Sequence, residues 1–162
     1  SIYDIIAIPG MEVTSDVGHI LAIGIRERVD KGLSFEETVE CIQELGGVAI
    51  VPHPFQKTRH GVGVKISNER LSKVDAIEVY NSRLITGRGN RRAKNFAEKY
   101  GIAMTGGSDA HSGSGIGTFT TFFPEPLTNR NQMLSHLHAG NVIPYEGLNI
   151  GQLRPFHPLP NE

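Results

Sequence analysis

Five side chains that commonly bind metal ions stand beside short apolar or glycine-rich runs of the sequence. They are Glu12, His19, His53, Asp109 and His111. Neutral imidazoles and carboxylates form a mixed nitrogen and oxygen ligand set that suits Zn²⁺, Mn²⁺ or Fe²⁺. Asp109 and His111 are two residues apart, so an extended backbone would project both side chains to one side, and Gly106-Gly107 would allow a tight turn before them. Each fragment also has an ordinary alternative, such as a capping aspartate with a surface histidine or a His-Pro loop.

Apolar runs predict the strands that position these side chains. The predicted strands cover 5–8, 19–25, 48–51, 76–80, 102–105 and 119–123, and the predicted helices follow Ser34 or cover 90–100 and 131–139, with a short turn or helix from Leu71. Ser34 and Glu37 have the spacing of a capping box. The alternation of strands and helices predicts an α/β fold with a largely parallel sheet.

In such sheets, functional residues lie just beyond the C-terminal ends of the strands. Predicted strands are followed by Glu12, His53, Asn81, Asp109 and His111. His19 begins its strand instead, and an antiparallel neighbour would bring it to the same edge. This shared edge favours a metal site over the ordinary alternatives.

Several segments together resemble one known family. They are PGMEV (9–13), GHIL (18–21), GGVAIVPHPF (46–55), DAIEVYN (75–81) and GSDAH (107–111). In this order they resemble the PHP (polymerase and histidinol phosphatase) family of metal-dependent phosphoesterases, over about residues 5–123. The resemblance implies a distorted, seven-stranded β/α barrel that binds two or three divalent ions (Zn, Mn or Fe). It implies Glu12 as a bridging carboxylate and His19, His53, Asp109 and His111 as further ligands, with Glu12, His53, Asp109 and His111 in catalysis.

The family pattern begins with a His-X-His motif and an Asp-His turn, and no counterpart precedes the Pro9–Val13 segment. We therefore expect residues 1–152 to form an N-terminally incomplete PHP-like domain. An N-terminal segment or a complementary chain would supply the remaining strands and ligands. Residues 153–162 are predicted to form a proline-rich arm.

The expected reaction is hydrolysis of a phosphomonoester or phosphodiester by metal-bound hydroxide. Candidate substrate-binding residues are Lys57, Arg59, Asn81 and Arg83, because cationic side chains bind phosphate oxygens, although solvated loop charge is at least as common. Amidohydrolase-type C–N hydrolysis on the same metal site is an alternative. Another is a structural or regulatory module with a vestigial site.

Two further polar residues near the motifs receive lesser roles. His60 is expected to point to solvent, in an exposed loop over 56–65. Glu78 is expected to pack or to orient a neighbour rather than to bind metal.

The overall charge argues against a long polyanionic partner. With 16 basic and 17 acidic residues, the formal net charge is −1, so no strong uniform field attracts a nucleic-acid backbone or an anionic membrane. A small phosphorylated substrate, such as a nucleotide or a short oligonucleotide, fits better. No apolar run approaches the ~20 residues of a membrane span, and we expect a cytoplasmic protein.

Overall fold

A computed structural model describes residues 6–56, 60–81 and 87–146. The strands are β1 (Gly10–Thr14), β2 (His19–Ile23), β3 (Val48–Val51), β4 (Ala76–Asn81), β5 (Ala103–Gly107), β6 (Phe119–Phe122) and β7 (Ile143–Glu146). The helices are α1 (Phe35–Glu44), α2 (Asn68–Leu71), α3 (Arg88–Tyr100) and α4 (Arg130–His138), with short 3-10 helices at Val62–Val64 and Gly113–Gly115. The predicted arm over 153–162 lies outside the described residues.

A five-stranded mixed sheet forms the centre of the fold. Its order is β1-β2-β3-β4-β5, and β6 pairs with β7 in a separate two-stranded sheet. The first two pairings of the larger sheet are antiparallel and the last two are parallel. Because β2 runs opposite to β3, its first residue, His19, lies at the edge where β3 ends, which confirms the predicted antiparallel neighbour.

Helices cover both faces of this sheet, so its strands are apolar on both sides. In β3, Ala49 and Val51 face a core that includes residues of α1 and α3, such as Ile42 and Phe96. The alternate residues Val48 and Ile50 face a second core, to which α4 contributes Met133, Leu134 and Leu137. The result is a three-layer α/β arrangement.

Local signals in the sequence set the limits of two helices. Ser34 Oγ accepts a hydrogen bond from the Glu37 N–H, and the Ser34 N–H donates to Glu37 Oε2, so the predicted capping box begins α1. Gly101 adopts a φ of 66° and ends α3, as its position after Tyr100 predicted.

The first strand differs from the prediction. The described part of the apolar run, Ile6 to Ile8, is not a strand, and β1 begins only at Gly10. Glu12 therefore lies inside β1 rather than after a strand. The physical reason is that β1 is an edge strand with Val13 as its one fully buried residue, so its pattern is far less apolar than that of β3.

The prediction of an exposed loop over 56–65 is also wrong in part. Val62 and Gly63 lie in a 3-10 helix and are buried, and Val62 belongs to the core that α1 and α3 cover. Backbone hydrogen bonds from Gly61 to the Gln56 carbonyl and from Gly63 to the Pro54 carbonyl return the chain toward His53.

The described strands do not close into a barrel. The larger sheet is open, with β1 at one end and β5 at the other. What the structure shows is a mixed α/β fold. Among the residues that it describes, no helix has both the length and the apolar character that a membrane crossing requires.

Candidate metal centre

Three of the predicted ligands converge at one edge of the sheet. One ligand atom from each of Glu12, His19 and His53 can be chosen so that all three atoms lie within 4.8 Å of one another. Glu12 pairs with Leu21 and Thr14 pairs with His19, which makes Glu12 and His19 diagonal neighbours on one face of the β1-β2 ladder. Their side chains meet, with His19 Nδ1 3.1 Å from Glu12 Oε1.

His53 reaches this pair from the end of β3. It is buried, and its ring stands edge-on to that of His19, with centroids 5.9 Å apart. Its φ is 33°, which few residues other than glycine adopt. Such backbone conformations persist where the surroundings enforce them, often at functional sites.

A buried carboxylate fixes the His53 backbone. Glu78 of β4 is 6% exposed, and its Oε2 accepts a hydrogen bond from the His53 N–H at 2.8 Å and another from Asn81 Nδ2 at 2.9 Å. Gly107 leaves room for this carboxylate, because a Cβ there would lie 2.3 Å from Glu78 Oε1. Glu78 thus orients neighbours, as the sequence indicated.

Asp109 and His111 lie beyond the end of β5 and do not belong to the group of three mutually close donors found among the described residues. The Asp109 carboxylate is 3.5 Å from Asn81 Nδ2. His111 Nδ1 is 2.9 Å from the Asp109 backbone oxygen and 3.6 Å from its Oδ1, and the His111 side chain is 68% exposed. A continuous network therefore runs from His53 through Glu78 and Asn81 to Asp109.

The predicted geometry of this segment is wrong in two respects. Asp109 has a φ of 49°, so the backbone is left-handed there and not extended. Gly106 and Gly107 are residues of β5 rather than a turn. They provide space: a Cβ at Gly106 would meet the Thr120 carbonyl at 2.6 Å, just as one at Gly107 would meet Glu78.

The candidate substrate-binding residues are mostly outside the described part of the chain. Lys57, Arg59 and Arg83 fall there. Asn81 is 2% exposed, its amide contacts Glu78 and Asp109, and its N–H donates to Asn90 Oδ1 at 3.3 Å. Its substrate-binding role stays a prediction.

Sequence reasoning missed the position of His60. Its side chain is exposed, but its ring lies against that of His19, with centroids 5.2 Å apart and planes inclined by 31°. Nothing in its spacing from His53 signals this contact, because the intervening loop returns through backbone hydrogen bonds that the sequence pattern does not encode.

The donor set fits a divalent ion. Glu12 offers a carboxylate oxygen, and His19 and His53 offer imidazole nitrogens, at mutual distances that one ion can bridge. Zn²⁺, Mn²⁺ and Fe²⁺ all accept such mixed ligands.

Comparison with known proteins points to the same family as the motifs. A family model described as PHP-associated (PHP_C) matches residues 87–142. The uncharacterized protein MJ0417 of Methanocaldococcus jannaschii is 35% identical over 109 residues, which cover 65% of this chain and 46% of that protein. The uncharacterized protein MJ1587 of the same organism is 40% identical over 73 residues, or 45% of this chain and 41% of that protein. The chain thus spans less than half the length of each relative.

Two solved structures share the fold. PsfC from Pseudomonas syringae has a TM-score of 0.61 at 18% identity, over 82% of this chain and 61% of PsfC. A two-domain protein from Bacteroides vulgatus, described as containing a predicted PHP-like metal-dependent phosphoesterase, has a TM-score of 0.67 at 20% identity, over 88% of this chain and 45% of that protein. The PHP-associated match is confined to residues 87–142, and these two structures show that the fold of the chain is shared with them.

Proposed function

We propose that this chain supplies a major part of a metal-dependent phosphoesterase that hydrolyses a phosphomonoester or phosphodiester. The observation that carries the proposal is the convergence of Glu12, His19 and His53, whose donor atoms lie within 4.8 Å of one another. The PHP-associated match over residues 87–142 and the likeness to a protein described as containing a predicted PHP-like metal-dependent phosphoesterase support the same chemistry.

The proposed site holds two or three divalent ions. Glu12, His19 and His53 would bind one ion, and Asp109 and His111 would contribute to a neighbouring position. When bound, such ions lower the pKa of water and polarise phosphoryl oxygens. In this proposal, Zn²⁺, Mn²⁺ and Fe²⁺ are the candidate ions.

The protein side chains position these groups. Glu78 holds the His53 backbone, and Asn81 links Glu78 to Asp109. Lys57, Arg59 and Arg83 are proposed to bind the nonbridging oxygens of a small phosphorylated substrate, because their charges complement a phosphate.

A distorted, barrel-like sheet and a full ligand set would need strands from outside residues 1–162. Two observations support this: the matched relatives are more than twice as long as the aligned region, and β1 pairs with β2 alone among the described strands. Among the described residues, the other edge of β1 carries no partner strand and offers a place for a further one. We expect residues 1–162 alone to show little activity, and co-expression with an N-terminal segment that carries a His-X-His motif to restore it. Equal activity in both preparations would contradict this part of the proposal.

The experiment for the main proposal uses the full-length protein loaded with Mn²⁺ or Zn²⁺. Hydrolysis of p-nitrophenyl phosphate, bis(p-nitrophenyl) phosphate and N-acyl substrates is measured beside bound metal. We expect phosphate-ester hydrolysis that His53→Ala abolishes and that His138→Ala, at a histidine near Asp75 before β4, leaves intact. Hydrolysis of N-acyl substrates alone would favour amidohydrolase chemistry, and the absence of bound metal would favour a non-catalytic module.

A further inference from the structure

His60 lies against a predicted metal ligand but outside the group of three donors. Its ring is tilted by 31° from that of His19 at a centroid distance of 5.2 Å. The rings of His19 and His53 instead meet edge-on, at 70°. Aromatic rings in an offset or tilted contact attract each other and restrict each other's rotation. The geometry is that of a packing contact on one face of the His19 ring.

The backbone of His60 also holds the strand that carries His19. The His60 carbonyl accepts a hydrogen bond from the His19 N–H at 3.4 Å. Gly18 makes this approach possible, because a Cβ at position 18 would lie 2.0 Å from the His60 oxygen. Any other residue at position 18 would therefore force the two segments apart.

Both segments are fixed by further bonds. Ser15 Oγ donates to the Gly18 carbonyl at 2.7 Å and its N–H donates to the same oxygen at 2.8 Å, which closes the turn between β1 and β2. On the other side, Gly61 donates to the Gln56 carbonyl at 3.0 Å. His60 has a φ of 56°, a left-handed conformation that few residues other than glycine adopt.

We propose that His60 is a positioning residue, whose ring packs on the His19 imidazole and holds it in the orientation that binds the metal ion. The inference rests on the proposed function, because it assumes that His19 is a ligand. Residues that orient metal ligands typically change metal affinity by 10- to 100-fold when they are removed. An exposed packing contact belongs at the lower end of that range.

Two substitutions separate packing from ligation. His60→Ala removes the ring, whereas His60→Phe keeps a ring of similar shape without nitrogen atoms. Both residues would occupy the same left-handed backbone, so the comparison cancels the strain of that conformation. His138→Ala is the matched control, since His138 is also exposed and its ring lies near Asp75.

The measurement is the affinity of the full-length protein for Mn²⁺ and Zn²⁺, by competition with a chromogenic chelator, together with the melting temperature without metal. We expect about 10-fold weaker binding in His60→Ala, near-normal binding in His60→Phe, and no change in His138→Ala. Because His60 is exposed, its replacement should leave the melting temperature without metal nearly unchanged.

Unchanged affinity in His60→Ala would overturn the inference. Equal losses in His60→Ala and His60→Phe would also overturn it, because an imidazole nitrogen, not packing, would then be required. The variant His19→Ala distinguishes a failure of the proposed metal site from a failure of the proposed role of His60. If it abolishes binding while His60→Ala does not weaken it, the metal site stands and only the role of His60 fails. If the wild-type protein binds no metal, both proposals fail.

Discussion

The two halves of the candidate site are built differently. Glu12 and His19 extend from adjacent, hydrogen-bonded strands, so the β1-β2 register alone places their side chains together. Asp109 and His111 follow the last strand of the sheet, in a segment without regular structure, and the His111 side chain is 68% exposed. One half is positioned by a strand ladder and the other by individual side-chain contacts.

This difference in construction leads us to expect different functions for the two halves of the site. A ladder resists movement because every residue is tied to its neighbour, and it suits a position that must bind an ion tightly. A segment held by a few contacts can adjust when a substrate enters. We therefore expect the position held by Glu12 and His19 to bind the tighter ion, whereas His53 and Asp109 depend on the network through Glu78 and Asn81.

The largest effects should come from the ligands themselves. His19→Ala should lower metal affinity by at least about 100-fold, more than the loss of a supporting residue would. Asp109→Ala should abolish hydrolysis and lower the amount of bound metal, while the ion at the Glu12–His19–His53 group remains. Metal content by mass spectrometry and hydrolysis of the aryl phosphates measure both effects. If Asp109→Ala kept wild-type turnover and full metal occupancy, the assignment of Asp109 to the site would be wrong.

The connection between the two halves is tested at Glu78. Glu78→Ala would leave the buried His53 N–H and Asn81 amide without the oxygen that now accepts from both. A buried donor that loses its acceptor costs about 1–3 kcal/mol, so the free energy of unfolding should fall by about 2–3 kcal/mol. Chemical denaturation without metal measures this change.

The conservative variant Glu78→Gln retains an acceptor oxygen. We expect it to lose less stability than Glu78→Ala and to retain more metal at both halves. Equal and small losses in the two variants would mean that the carboxylate does not support His53 or Asn81.

Sequence patterns predicted the regular elements well where the local signal was strong. The run at Val48–Val51 is apolar on both faces and became β3, and the Ser34 capping box began α1. The edge strand β1 was misplaced because three of its five residues are exposed, which leaves no continuous apolar run. Local patterns report burial, and an edge strand has little of it.

The set of candidate ligands could be chosen from the sequence more readily than their geometry. Glu12, His19 and His53 could be brought to one edge by reasoning about strand direction. The left-handed backbone at Asp109 and the contact of His60 with His19 could not, because they depend on how distant loops pack. The two glycines before Ser108 predicted a turn, but in the structure they leave space for Glu78 and for the Thr120 carbonyl.

A methyl group at Gly107 tests whether the network needs that space. A Cβ there would lie 2.3 Å from Glu78 Oε1, so the carboxylate must move. Overpacking of this kind costs about 1–3 kcal/mol, and we expect Gly107→Ala to lose about 1–2 kcal/mol of the free energy of unfolding and some metal at the Asp109–His111 segment. Gly113→Ala is the control, because a Cβ at position 113 meets nothing within 4 Å. Equal behaviour of the two variants would show that Glu78 adapts without cost.

The smallest effect is expected at an ion pair that joins α1 to α2, outside both halves of the site. Arg70 Nε and Nη2 each donate to a Glu36 carboxylate oxygen at 2.7 Å. These hydrogen bonds lower the pKa of Glu36 from 4.5 to about 2, although burial opposes the shift. A carboxyl group whose pKa is lowered by folding stabilises the protein above its unfolded pKa, and this contribution is lost as the pH falls from about 4.5 toward 2.

The side chains are partly exposed, so Glu36→Gln should cost less than about 1 kcal/mol at pH 7 and almost nothing near pH 2. Glu40→Gln on the same helix is the control, and urea denaturation at the two pH values measures the difference. Metal affinity should not change in either variant. A loss of metal in Glu36→Gln would mean that the α1–α2 contact supports the ladder half of the site, and the division between the two halves would then have to be redrawn.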